Sequence, residues 1–157
     1  LYDQNKVSEI FSVDPDNVLL NKARRRAKLN NINLNIESLS AEELPFESNS
    51  FDTVVSTYTL CSIKNAEKAL AEVNRVMKNG SKFIFSEHGK APDENVLKWQ
   101  KRLNPIWSRI AGGCHLDIDI PSIISQSNFK IPEIQSTYVP GPKFAAYHYW
   151  GYATANK

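Results

Sequence analysis

Asp14 follows an apolar, β-favouring run at residues 7–13 (VSEIFSV) and directly precedes Pro15. A carboxylate at the carboxyl end of a strand can accept both hydroxyls of a ribose, as acidic residues do in many nucleotide folds. A helix-capping aspartate is the competing reading, although Asp16 is better placed to cap. A second feature is the loop Ser40-Ala41-Glu42-Glu43-Leu44-Pro45-Phe46, which leads into Ser50-Phe51-Asp52. Between Leu29 and Ile63 there is no Lys or Arg, whereas Glu37, Glu42, Glu43, Glu47 and Asp52 are acidic. Such a stretch favours a cationic or neutral ligand over a phosphate. A solvated acidic loop is the plainer reading. His88, in Glu87-His88-Gly89, ends another strand-like run, and an unperturbed imidazole suits a general base. A purely structural histidine competes with that role. Cys61 and Cys114 are too few for a disulfide framework and lack metal-ligand spacing, so no metal site is expected. They read as small buried residues.

These residues need elements to hold them. The spacing predicts a strand at 7–13 and a helix capped by Asp16 or Asn17, with Leu19, Leu20, Ala23 and Ala27 on its apolar face. Arg24, Arg25 and Arg26 fall largely on the solvated face. A second strand is expected at 32–36 and a buried one over Phe51–Thr57. Ala66, Leu70, Val73, Val76 and Met77 form a helical stripe closed by Asn79-Gly80. Residues 82–86 (KFIFS) read as the next strand. Residues 96–110 form a helical candidate that Pro105 kinks or splits. Asp117 or Asp119 caps a short helix holding Ile123 and Ile124. Strands at 129–139 and 144–154, joined by Pro140-Gly141-Pro142, should pair antiparallel as a hairpin. Strands alternating with helices point to an α/β fold with a doubly wound, mostly parallel sheet.

Composition bounds the answer. A chain of 157 residues, 41% hydrophobic and 23% charged, suits a single domain over 1–157 with a real core. Its 19 Lys+Arg against 17 Asp+Glu leave a formal charge of +2, too little basic excess for a nucleic-acid binder. No apolar run is long enough to span a bilayer, and no secretory signal is visible, which reads as cytoplasmic. Trp99, Leu103, Ile106 and Trp107, near Lys98, Lys101, Arg102 and Arg109, suit either a core-packed stripe or contact with a membrane surface. Glycine is scarce at 6, and the first is Gly80. A glycine-rich phosphate loop is therefore absent from the first half. Either the fold is not of nucleotide type, or the chain starts after its loop.

In order, Phe11-Ser12-Val13-Asp14-Pro15, then Ser40 to Phe46, then Asn49-Ser50-Phe51-Asp52-Thr53-Val54-Val55 resemble the successive motifs of class I S-adenosylmethionine-dependent methyltransferases of the type 11 (UbiE/COQ5-like) group. Glu72 to Gly80, feeding Phe83-Ile84-Phe85, is similar to the segment before that family's fifth strand. Thr59-Leu60-Cys61-Ser62-Ile63, with Glu87-His88 and Gly113-Cys114, further resembles the branch that includes thiol S-methyltransferases. The resemblance implies a Rossmann-like sheet with the C-terminal hairpin antiparallel, and S-adenosylmethionine as cofactor. By position, Asp14 would hold the ribose hydroxyls. Ser40, Ala41 and Glu42 would line the adenine, although Ser40 stands where an aspartate is common. Thr57 and Leu60 would lie beside the methionine portion. Residues 1–90 would form the cofactor part, and residues 91–157 the acceptor side for a small apolar molecule, with His88 as candidate base. The family's glycine-rich loop and first strand would precede Leu1, so weak cofactor binding and self-association of this chain are expected. Two other readings stay open: an NAD(P)-dependent oxidoreductase, since Asp14 would serve that ribose equally well, and a non-catalytic methyltransferase-like binding or assembly module.

Overall fold

In the computed structural model, which describes residues 2–3 and 5–155, the chain forms two compact units, Leu1–Leu44 and Pro45–Lys157. The first unit holds strand β1 (Ile10–Val13), helix α1 (Asn17–Leu29) and strand β2 (Leu34–Glu37). β1 and β2 pair in parallel, with Ile10 opposite Leu34 and Val13 opposite Glu37. β1 is shorter than the expected 7–13 because the Lys6 and Val7 amides both donate to the Asp3 carbonyl (2.9 Å each), closing a turn ahead of the strand. Asp16 caps α1, accepting from the Val18 and Leu19 amides. Leu20 and Ala27 face inward, as the helical spacing predicts, but Leu19 is half exposed.

The second unit is built on one four-stranded sheet. Its strands are β3 (Phe51–Thr57), β4 (Met77–His88), β5 (Phe129–Tyr138) and β6 (Tyr147–Ala155), in the order β3-β4-β6-β5. β3 and β4 run parallel, while β6 is antiparallel to both β4 and β5. The C-terminal hairpin pairs antiparallel as expected, but its second strand begins at Tyr147 rather than at 144, because Lys143–Ala145 close a single 3-10 turn first. Helices α2 (Ala66–Val76), α3 (Glu94–Ile110) and α4 (Ile120–Gln126) complete the unit. α2 buries Ala69, Leu70, Val73 and Val76, residues at helical spacing. β4 buries Ser81, Phe83, Phe85 and Glu87, alternate residues on one pleated face. Leu70, Val73, Met77, Phe83, Phe85, Ile120, Ile124, Phe129 and Ala153 join in one apolar cluster. Each large side chain buried there contributes about 1.5–3 kcal/mol.

Two local expectations need correction. Asn79-Gly80 does not close α2, because the backbone is already extended at Met77 (φ −71°, ψ 140°). Gly80 (φ 77°) instead serves an irregularity at the start of β4, where the pairing jumps from Phe51 opposite Met77 to Thr53 opposite Lys82. Pro105 does not split α3, which runs on to Ile110. Proline forfeits one helical hydrogen bond, but two side chains ahead of it pin the helix. Gln100 donates to the Gly89 and Phe144 carbonyls and accepts from the Ala91 amide. Asn104 accepts from the Leu116 amide (2.8 Å) and donates to Asp117. Asp119, one of the two residues expected to cap the next helix, does cap α4.

Candidate functional site

In the first unit, the parallel register of β1 and β2 sends the residues after each strand off the same edge. The Asp14 amide continues the ladder, donating to the Glu37 carbonyl (3.2 Å). Asp14 is half-buried, and its Oδ1 accepts from the Asp16 amide (2.7 Å), a tight turn that aims the next residues into α1. Since Asp16 is the cap, Asp14 is relieved of that duty. After β2, Ser40 turns the chain: its hydroxyl accepts from the Glu42 amide (3.3 Å) and its carbonyl from the Glu43 amide (3.2 Å). Ser40 is exposed, and Ala41 and Glu42 are half-buried. Asp14 and residues 40–42 thus follow neighbouring strand ends of one small sheet, as their order along the chain predicts.

The second unit repeats this logic with β3 and β4, where Thr57 pairs with Ser86. Thr57 is exposed at the end of β3, and Tyr58 takes a left-handed backbone (φ 51°) that turns the chain sharply. The Ser62 and Ile63 amides then donate to the Thr59 carbonyl, folding residues 59–63 into a compact turn. Leu60 sits in the apolar core, so its side chain packs rather than faces solvent. This turn is tied to Glu87, whose side chain is wholly buried. Glu87 Oε1 accepts from the Ser56 hydroxyl (2.8 Å) and the Thr59 amide (3.1 Å). Burial raises the Glu87 pKa, and these donors, with the Leu60 and Cys61 amides, partly offset the rise.

Next to Glu87, His88 belongs to a buried cluster that no local pattern announced. Its Nε2 lies 2.7 Å from the Cys114 sulfur. The Cys61 sulfur completes a group whose potential ligand atoms all lie within 4.8 Å of one another. Three segments meet here: the turn after β3, the end of β4 and the loop after α3. The two outer segments are bound to each other, since the His115 amide donates to the Cys61 carbonyl (2.7 Å). Gly113, at φ 89°, passes so close that an added Cβ would stand 3.3 Å from the Ser62 carbonyl. Cys61 is held as a thiol, its pKa raised by its hydrogen bond to Cys114 and by burial. That same hydrogen bond, assisted by His88 and Trp107, lowers Cys114 against the effect of burial. His148 lies opposite His88 on β6, and its Nδ1 bonds the Ala146 carbonyl (2.9 Å). Tyr58 rests edge-on against the His148 ring, at 5.5 Å between centroids.

In the segment after residue 90, α3 presents Trp107 to Phe144 (5.7 Å) and leaves Trp99, Ile106 and Ile110 exposed. Tyr149 donates to the Lys90 carbonyl (2.6 Å), and Tyr147 shares a hydrogen bond with Ser136. No helix among the described residues is long and apolar enough to cross a membrane.

Comparison with known proteins places this architecture. A family profile described as a methyltransferase domain matches residues 1–85. The thiol S-methyltransferase TMT1B of Rattus norvegicus is 39% identical over 94 residues, which is 59% of this chain and 38% of that protein. The ubiquinone/menaquinone biosynthesis C-methyltransferase UbiE of Brucella canis is 31% identical over 134 residues, 82% of this chain and 49% of the relative. The chain thus spans half or less of the length of these curated relatives. Among solved structures, a SAM-dependent methyltransferase of Methanosarcina mazei superposes with a TM-score of 0.74 at 15% identity, covering 94% of this chain and 82% of that one. The expected Rossmann-like α/β fold is therefore found. With more than half of its length matched by the profile, the chain belongs to the type 11 methyltransferase-domain family.

Proposed function

We propose that this protein carries out S-adenosylmethionine-dependent methyl transfer to a small, apolar acceptor, and that a thiol is its preferred class. The observation that carries the reading is family membership joined to strand ends whose residues fit the cofactor. Asp14 offers a half-buried carboxylate that is not needed as a cap, suited to a pair of ribose hydroxyls. Residues 40–42 offer a turn with partly buried backbone for the adenine. The family resemblance would give the methionine portion to Thr57 and Leu60, at the end of β3, Leu60 through its backbone because its side chain is in the core. The stretch from Leu29 to Ile63 carries acidic groups and no Lys or Arg, which suits a sulfonium cation. When bound, S-adenosylmethionine supplies the activated methyl group. The chain's task is then to align the acceptor for in-line displacement, which is chiefly a matter of positioning. No obligatory base is assigned, because a base is needed only where the acceptor must lose a proton. The thiol preference follows from the likeness to thiol S-methyltransferase TMT1B.

Family membership favours this reading over an oxidoreductase use of Asp14. The test is calorimetric titration with S-adenosylhomocysteine beside fluorescence titration with NADH, followed by transfer of labelled methyl to a thiol, a phenol, an amine and a quinol. Binding of S-adenosylhomocysteine with label on the thiol is the expected result. NADH binding without S-adenosylhomocysteine binding would overturn the proposal, and binding of neither, by this chain and by one extended at its N-terminus, would favour a non-catalytic module.

A further inference from the structure

We propose that Cys61, His88 and Cys114 form a binding site for a zinc-class divalent cation. Their potential ligand atoms lie within 4.8 Å of one another, and all three side chains are buried. Around tetrahedral zinc, Zn–S near 2.3 Å and Zn–N near 2.0–2.1 Å place the donors about 3.5–3.8 Å apart. The separations must adjust to that scale: His88 Nε2 to Cys114 Sγ, at 2.7 Å, widens by under about 1 Å, and the widest pair, at most 4.8 Å apart, closes by at most about 1.3 Å. Two sulfurs and an imidazole are the wrong donors for Mg²⁺ or Ca²⁺ and the right ones for a borderline-soft ion.

Charge and rigidity point the same way. Two thiolates cancel a divalent charge, so the loaded site buries no net charge. Binding requires both sulfurs as thiolates, and the protons displaced leave to solvent. The donors are held before any ion arrives. The His115 amide clamps the Cys61 carbonyl, the Cys114 amide donates to the Ala111 carbonyl (3.2 Å), and Gly113 packs against the Ser62 carbonyl. Trp107 Nε1, buried and without a conventional hydrogen-bond partner among the described residues, lies beside the Cys114 sulfur, where an N–H can steady a bound thiolate. Three protein donors leave the fourth tetrahedral position to an exogenous ligand, as in catalytic rather than structural zinc sites.

The proposal stands on this cluster alone and holds whatever the methyl acceptor is. The test is Co²⁺ titration of the reduced protein, read by absorption, with zinc content measured after purification. One ion per chain, a thiolate-to-cobalt charge-transfer band and tetrahedral visible bands are expected. C61S and C114S should each lower the charge-transfer intensity by about half, one thiolate of two, and the double variant should abolish it. His88→Gln should weaken affinity while keeping the charge-transfer band. Urea midpoints of the variants show whether they fold, and the wild-type cobalt spectrum decides the matter if they do not. A six-coordinate spectrum without charge transfer in the wild-type protein would overturn the proposal. So would a Cys61–Cys114 disulfide whose reduction restores no metal binding.

Discussion

Replacing Gln100 with Leu tests how the segment after β4 is held. Gln100 is 1% exposed and serves three backbone groups. Its Oε1 accepts from the Ala91 amide (3.0 Å), and its Nε2 donates to the Gly89 (3.0 Å) and Phe144 (3.1 Å) carbonyls. Leucine matches the volume but satisfies none of them. An orphaned buried group costs about 1–3 kcal/mol. Ala91 and Gly89 are buried and bear that cost in full, while Phe144 is half-buried and can recruit water. The sum is a loss of about 2–6 kcal/mol. Q100E separates acceptor from donor. Its carboxyl still accepts from Ala91, but it faces two carbonyls with nothing to donate unless protonated, so its folded pKa is raised. Its stability should then be greatest below the unfolded carboxyl pKa of about 4.3 and fall as pH climbs through the folded value, by at most about 1.4 kcal/mol per unit. Urea unfolding followed by tryptophan fluorescence at several pH values measures both. A Q100L midpoint within about 0.5 kcal/mol of wild type, or a Q100E profile parallel to wild type, would show that Gln100 is not the pin described.

In a chain extended at its N-terminus, Asp14→Ala should weaken S-adenosylhomocysteine binding by about 1.5–3 kcal/mol through lost charge-assisted hydrogen bonds; D14N, which keeps the acceptor for the Asp16 amide, should lose less. Calorimetry checks both, and an unchanged dissociation constant removes Asp14 from the site. Gly151→Ala would set a Cβ 2.2 Å from the Glu133 carbonyl oxygen, so the β5–β6 pairing must open. A loss of at least about 1–3 kcal/mol is expected by urea unfolding. Burial first, then the Tyr147 and Asp119 charges, raises the Tyr149 phenol to about 12. Its stabilising share is present below the unfolded value near 10 and lost as pH rises towards about 12. Y149F should therefore lose less stability than wild type over that window, although it forfeits the bond to the Lys90 carbonyl at neutral pH.

What could be read from the sequence was what local periodicity encodes. The run Phe51–Thr57 has the bounds of β3, and the stripe Leu70, Val73 and Val76 is the buried face of α2. The helix end was misread for a physical reason. Asn-Gly signals a left-handed backbone, and Gly80 adopts one, but the same dihedral serves a strand irregularity as well as a helix cap. Only the pairing of Phe51 with Met77 tells them apart, and that contact is long-range. The strand ends were legible in the same way: Asp14 follows one apolar run and Thr57 closes another.

The chemistry of the second unit lay beyond such reading. Cys61 and Cys114 share no spacing that marks a ligand pair, and neither is near His88 in the chain. What joins them is the parallel register of β3 and β4, which sets the turn 59–63 beside the end of β4, and the glycine-permitted approach of residues 112–114 to that turn. Buried Glu87 locks the first of these contacts by accepting from Ser56 and Thr59, a role open to a carboxylate only at the depth where β4 ends. A cluster assembled by register and by one close backbone approach leaves no periodic trace. In this fold the strand ends can therefore be placed from sequence, while the groups that meet there are decided by which loops the register brings into contact.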